Sequence, residues 1–185
     1  MTPSPRLIAA VRFGTGDPVD GLLNAVVDSL TRRNLRVAGC LQRKDPVADR
    51  LCGNVILENL GNGKTYDVLQ ARGPGASGCR LNPEALAEAA GDIASSLVER
   101  PDILVLNRFG RGEAEGHGFR GLIELAFGLE LPVLIAVSDS WSDHWISFCG
   151  NLASDLPVNA DMILAWCDAI LSARAPMVRV SDNGH

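Results

Sequence analysis

Short apolar runs alternate with longer stretches in which apolar residues return every three or four positions. Leu7 to Phe13 is a run of strand length, apolar except for Arg12, and Val19, Leu22, Leu23, Val26, Val27 and Leu30 then fall at i, i+3, i+4, i+7, i+8 and i+11. The first pattern predicts a buried strand and the second an amphipathic helix. Asp17 and Pro18 stand where an N-cap and a first helical residue are expected. Leu35 to Leu41 reads as a second buried strand, which makes a strand–helix–strand unit of a length suited to parallel pairing. Asn54 to Leu60 and Thr65 to Gln70 flank the turn-rich Gly61-Asn62-Gly63-Lys64, predicting a β-hairpin, and the glycine-rich Arg72 to Arg80 reads as a loop. Asn82-Pro83 opens a second helix that runs to about Arg100 through Leu86, Ala89, Ala90, Ile93 and Leu97.

Ile103 to Leu106 is the next buried strand. It enters a loop with Gly110, Gly112, Gly116 and Gly118, three arginines, two glutamates and a histidine, and helical spacing resumes at Leu122. Val133 to Val137 is a fourth buried strand, Trp141, Trp145, Phe148 and Leu152 mark an aromatic helix face, and a last helix spans about Asn159 to Ala173. That aromatic face suits core packing or a ligand platform. The succession predicts one α/β domain over residues 1–175, a mainly parallel sheet flanked by helices in three layers. A hairpin is inserted at about 54–70, and 176–185 form a flexible tail.

At 185 residues the chain fits a single domain, and its 46% hydrophobic and 21% charged residues are ordinary for a globular protein. A net charge of -5 argues against nucleic acid as a partner. No apolar run has the length of a membrane span, and no cleavable leader pattern follows the first strand. Five scattered cysteines without a C-x-x-C pair suit reduced thiols, so a cytoplasmic location is expected. Homo-oligomerisation stays open.

Two loops follow buried strands, where an open α/β sheet places its ligands. After the first strand, Gly14, Thr15, Gly16 and Asp17 stand where a phosphate-binding loop would lie. The closing positions carry Val19, Asp20 and Gly21, however, without the lysine and hydroxyl that phosphate and magnesium require. What remains is a helix start offering backbone N–H groups to a modest anion, with Asp17 and Asp20 opposing it. Gly63-Lys64-Thr65 ends like a phosphate loop but has Glu58 at the position of the leading glycine and a strand after it.

After the focal strand, Asn107 and Arg108 occupy the places of a magnesium-binding aspartate and a catalytic glutamate, so nucleotide hydrolysis by that route is disabled. Arg108, Arg111, Arg120 and His117 would give donors suited to an oxyanion, with Glu113 and Glu115 holding them in place or solvating the loop. Cys79-Arg80 places a thiol beside a cation. No histidine, cysteine and carboxylate spacing marks a metal site. A substitute lysine, Lys64 or Lys44, would be needed for a nucleotide-dependent enzyme.

The order of elements resembles the thermophilic nucleoside-triphosphatase branch of the P-loop fold, where a strand ending in Asp-Glu-x-Gly precedes a helix; here that stretch reads Asn107-Arg108-Phe109-Gly110, followed by Glu113, Gly116 and Phe119. Together with Gly14-Thr15-Gly16-Asp17-Pro18, Gly78-Cys79-Arg80-Leu81 and Trp141, it resembles a bacterial family of unknown function whose genes often stand beside those of molybdenum uptake and molybdoenzymes. The resemblance covers about Leu7 to Ala173. It implies a P-loop-like fold with degenerate nucleotide motifs, molybdate or a nucleotide as ligand, and a molybdenum-handling protein as partner. Three functions follow: a binding protein for an oxyanion or phosphate compound, a nucleotide-dependent enzyme with an atypical phosphate loop, and an accessory protein of metalloenzyme assembly.

Overall fold

The computed structural model describes residues 5–44, 55–71 and 79–174, and the expected tail at 176–185 lies outside them. Strand β1 (Ile8–Phe13) is followed by α1 (Val19–Arg32) and β2 (Val37–Lys44). Then come β3 (Val55–Asn59), β4 (Thr65–Tyr66), β5 (Leu69–Ala71), β6 (Cys79–Leu81) and α2 (Pro83–Leu97). The second half holds β7 (Ile103–Phe109), a single turn α3 (Arg111–Ala114), α4 (Arg120–Gly128), β8 (Val133–Ser138), α5 (Ser142–Cys149), β9 (Ala153–Leu156) and α6 (Ala160–Arg174).

Seven strands form one sheet in the order β4-β3-β2-β7-β8-β1-β9, with β2, β7, β8, β1 and β9 parallel and the β3–β4 hairpin antiparallel at one edge. Parallel strands buried on both faces account for the unbroken apolar runs. Ala9, Val11, Val105 and Leu134 face α1 and α6, whereas Ala10, Leu104, Leu106 and Ile135 face the layer of α2, α4 and α5. The result is the three-layer α/β arrangement of P-loop-NTPase-like folds. Gly39 lets β2 lie against β7: its φ is +117°, and a Cβ there would fall 1.9 Å from the Val105 carbonyl oxygen.

Several expectations need correction. The first strand–helix–strand unit is parallel but not adjacent, because β7 and β8 lie between β1 and β2. Helix α1 begins at Val19 after Pro18, and Asp17 makes no cap; its carboxylate folds back on the Gly14 N–H instead. The hairpin forms about Gly61–Lys64, yet its second arm divides. Thr65–Tyr66 pairs with β3, while Leu69–Ala71 leaves to pair with Cys79–Leu81 in a separate two-stranded sheet. The end of the expected 72–80 loop is therefore a strand. Residues 153–156, given no element from sequence, add an edge strand to β1. Most of the aromatic face packs on the core: Trp145 is buried and meets Phe109 edge-on at 5.2 Å, and Phe148 stacks on Phe109 at 5.8 Å, whereas Leu152 lies beyond α5 and is exposed.

Candidate functional site

The end of β7 carries the decisive irregularity. Leu106 pairs with Ile135 and Phe109 with Val137, so one extra residue is accommodated across Asn107–Arg108 as a bulge. Regular alternation would send Phe109 to the α1 face; the bulge sends it to the α4–α5 face and turns Arg108 outward. Asn107 stays buried, and its Oδ1 accepts the Gln42 N–H at 3.0 Å, continuing the β2–β7 attachment past Leu106. Its side chain thus serves the sheet.

Glu113 organises the loop that follows. It is buried, and its two oxygens accept the N–H of Gly110 at 2.9 Å and of Phe119 at 2.8 Å. It holds backbone, whereas Glu115 holds Arg111 at 2.7 Å. Gly118 has φ +59°, and a Cβ there would meet Glu113 Oε1 at 2.2 Å, so only glycine closes the loop onto this carboxylate. Beneath it, burial pushes the Cys40 thiol up to about 12, with the Glu113 charge adding to the rise and a backbone hydrogen bond at Asn107 opposing it.

The loop forms one side of a cleft of about 670 Å³. Asn107, Arg108, Gly110–Glu113, His117 and Gly118 line this side; Leu57, Val68, Leu81, Pro83, Leu86 and Ala87 make an aliphatic wall opposite, with Gln42 between. Arg108 is exposed, donates to Asp20 at 2.7 Å and lies 5.3 Å from the Phe13 ring centroid. Arg108 and Arg111 are each ion-paired with a single carboxylate at or near the surface, contacts worth about 0–1 kcal/mol each.

Of the residues expected from sequence, Asn107, Arg108, Arg111, Glu113 and His117 come together on this cleft. Arg120 turns away: it pairs with Glu124 at 3.1 Å, lies 4.6 Å from the Phe148 ring centroid and lines a separate apolar groove between α4 and α5. Arg80 lines a shallow cleft beside the start of α2. The Cys79 side chain lies outside the described residues. Gly14, Thr15, Gly16 and Asp17 stand at the β1 end, next to the β1–β8 position where successive connections leave for opposite faces. There Asp17 accepts the Gly14 N–H at 2.7 Å, and a Cβ on Gly14 would lie 3.2 Å from Asp139 Oδ2. Carboxylates crowd that switch point. The aliphatic wall escaped the sequence reading because Leu57, Val68, Leu81 and Leu86 are scattered over two strands, a connection and a helix.

Lys64, the candidate replacement for a phosphate-loop lysine, donates to Glu88 at 2.8 Å and Asp92 at 2.6 Å, and Tyr66 donates to the same Asp92 oxygen at 2.7 Å. These carboxylates hold the ammonium far above its ordinary pKa, and β4 rather than a helix follows it. Among the described residues, no group of three or more histidines, cysteines and carboxylates is placed to hold a metal, and no helix is long and apolar enough to cross a membrane.

A family model matches residues 8–166, nearly the whole sheet and its helices. The chain belongs to the family described as "Protein of unknown function (DUF2478)". This DUF2478 chain is also 32% identical over 164 residues to the molybdenum import ATP-binding protein ModC 2 of Bradyrhizobium diazoefficiens, a match covering 88% of this chain and 18% of that protein. The chain thus spans less than a fifth of that relative's length. No solved structure gives a significant match.

Proposed function

We propose that this protein binds an oxyanion or phosphate-containing ligand in the cleft below the β7 loop, in the service of molybdenum metabolism. The observation that carries the reading is the convergence of Arg108, Arg111 and His117 on one cleft at the carboxyl edge of the sheet. The partial likeness to a molybdenum import ATP-binding protein supports the metabolic setting. The engagement of Lys64 by Glu88 and Asp92, and of the Gly14 N–H by Asp17, weighs against nucleotide hydrolysis.

Thermal unfolding against molybdate, tungstate, sulfate, phosphate and the magnesium complexes of ATP and GTP tests this. A ligand at a hundredfold excess over its Kd adds about 2.7 kcal/mol, a rise of roughly 5–10 °C for a chain of this size. Arg108→Ala and Arg111→Ala should each reduce that rise while the ligand-free melting point holds within about 2 °C. An unchanged rise in both variants would remove the ligand from this cleft.

The short span of the match within the ModC 2 protein favours one second reading, an accessory domain acting on an ATP-binding partner. A stable complex with such a partner, together with no response to any of these anions, would favour it.

A further inference from the structure

The chemistry of the cleft says more about its occupant than the arginines alone. A free tetrahedral oxoanion is held by several N–H donors converging on a small polar site. Several backbone donors around the cleft are taken, although the N–H groups of Arg111, Gly112 and Glu113 at the start of α3 meet no acceptor among the described residues. Gly110 N–H is given to Glu113, Gly14 N–H to Asp17, and the first free amides of α2, on Glu84 and Ala85, to the Asn82 side chain. What the cleft offers besides is two guanidinium groups on one side and an aliphatic wall on the other. Leu81, 51% exposed, adds accessible apolar surface to that wall. The volume, about 670 Å³, falls within the range of about 300–1,000 Å³ typical of sites for organic ligands.

We propose that the ligand is an organic anion of about nucleotide size, its apolar or planar body against Leu57, Val68, Leu81 and Leu86 and its charged group at Arg108 and Arg111. The inference rests on the anion-binding reading above and narrows it: a free oxoanion fills neither the volume nor the wall.

The test separates body from charge with three probes on the intact chain. The dye 8-anilinonaphthalene-1-sulfonate carries both, N-phenyl-1-naphthylamine carries the body alone, and sulfate or molybdate carries the charge alone. Saturable binding of the sulfonate dye is expected, weakened about tenfold or more by Arg111→Ala and by Leu81→Asp. Both positions are solvent-exposed, so the variants keep the fold. Equimolar sulfate or molybdate should leave the dye in place. Displacement by either salt at a potency equal to the dye's would overturn the proposal and leave the anion reading standing. Equal affinity for the neutral dye, with no effect of Arg111→Ala, would overturn it as a matter of charge. If no anion of any kind binds, the anion reading itself falls and takes the narrower one with it.

Discussion

Two glycine-opened turns leave the carboxyl edge of the sheet, one after β1 and one after β7, and each is fastened by a carboxylate three residues on. Asp17 accepts the Gly14 N–H at 2.7 Å, and Glu113 accepts the Gly110 N–H at 2.9 Å. The covalent pattern is alike, but the surroundings differ. Asp17 is exposed and makes that one bond. Glu113 is buried and takes a second N–H from Phe119, so it ties both ends of its loop together. Water can replace the first bond at little cost, whereas the burial of Glu113 largely shields its two bonds from it. The β7 loop is therefore a preformed frame that presents Arg108 and Arg111 to the cleft, while the β1 turn is a tight connection closed on its own carboxylate.

The largest effect expected from this difference lies at Glu113. Glu113→Ala should destabilise the fold by about 3 kcal/mol, because two buried amides lose a charged acceptor. That is a fall in melting point of roughly 6–12 °C for a chain of this length, read by calorimetry or urea titration. The same variant should open a path to Cys40, which mass spectrometry after thiol labelling would locate. A stability loss below 1 kcal/mol would mean that the Glu113 clamp is not what holds the loop. Gly118→Ala comes next, at about 2 kcal/mol, since an alanine must take a left-handed backbone and displace the Glu113 carboxylate. An alanine tolerated there without loss would mean the loop can close in another way.

The β7 side also has a buried thiol beneath it. Cys40 is fully buried, and its pKa is raised from 9.0 to about 12. The unfolded chain releases this proton as the pH passes 9, and the folded chain retains it until near 12. The contribution of this thiol to stability is thus full below pH 9 and declines as the pH rises between the two values. At pH 10 the loss is on the order of 1 kcal/mol. Cys149 and Cys167 are raised in the same direction by burial, so the wild-type slope contains all three. Cys40→Ala isolates its share: the variant should lose less stability between pH 8 and pH 10 than the parent does. Identical slopes would show that Cys40 titrates in the folded state as it does in the unfolded one.

The parts of this architecture written in local spacing could be read in advance. Helix α1 follows from apolar residues at helical intervals, and α2 starts where Asn82 caps and Pro83 follows. Strand β9 was not legible because Ala-Ser-Asp-Leu has neither an apolar run nor alternation of useful length; it becomes a strand because the open edge of β1 supplies its partners. The division between β4 and β5 depends on Cys79–Leu81, which lies beyond a glycine-rich stretch. The bulge at Asn107–Arg108 exists only relative to β8, so no window on β7 alone contains it. At the site, the arginines and the histidine were visible as residues. Which carboxylate each would meet was not: Arg108 finds Asp20, 88 positions away, and Glu113 finds no arginine at all.

The smallest effect, and the sharpest check on the comparison, lies at Asp17. Asp17→Ala removes one solvent-exposed hydrogen bond, and the freed Gly14 N–H can turn to water, so the expected loss is about 0.5 kcal/mol or less. The same change withdraws a negative charge from the carboxylates that crowd the β1 end beside Asp139. Measured beside Glu113→Ala in the same buffer, it asks whether burial or sequence pattern sets the strength of a glycine–carboxylate clamp. Equal losses in the two variants would mean that the pattern decides and that the β1 turn is as rigid a frame as the β7 loop. A loss several times smaller at Asp17 would assign the difference to burial, and with it the reason that only one of two similar turns is built to present its side chains to a cleft.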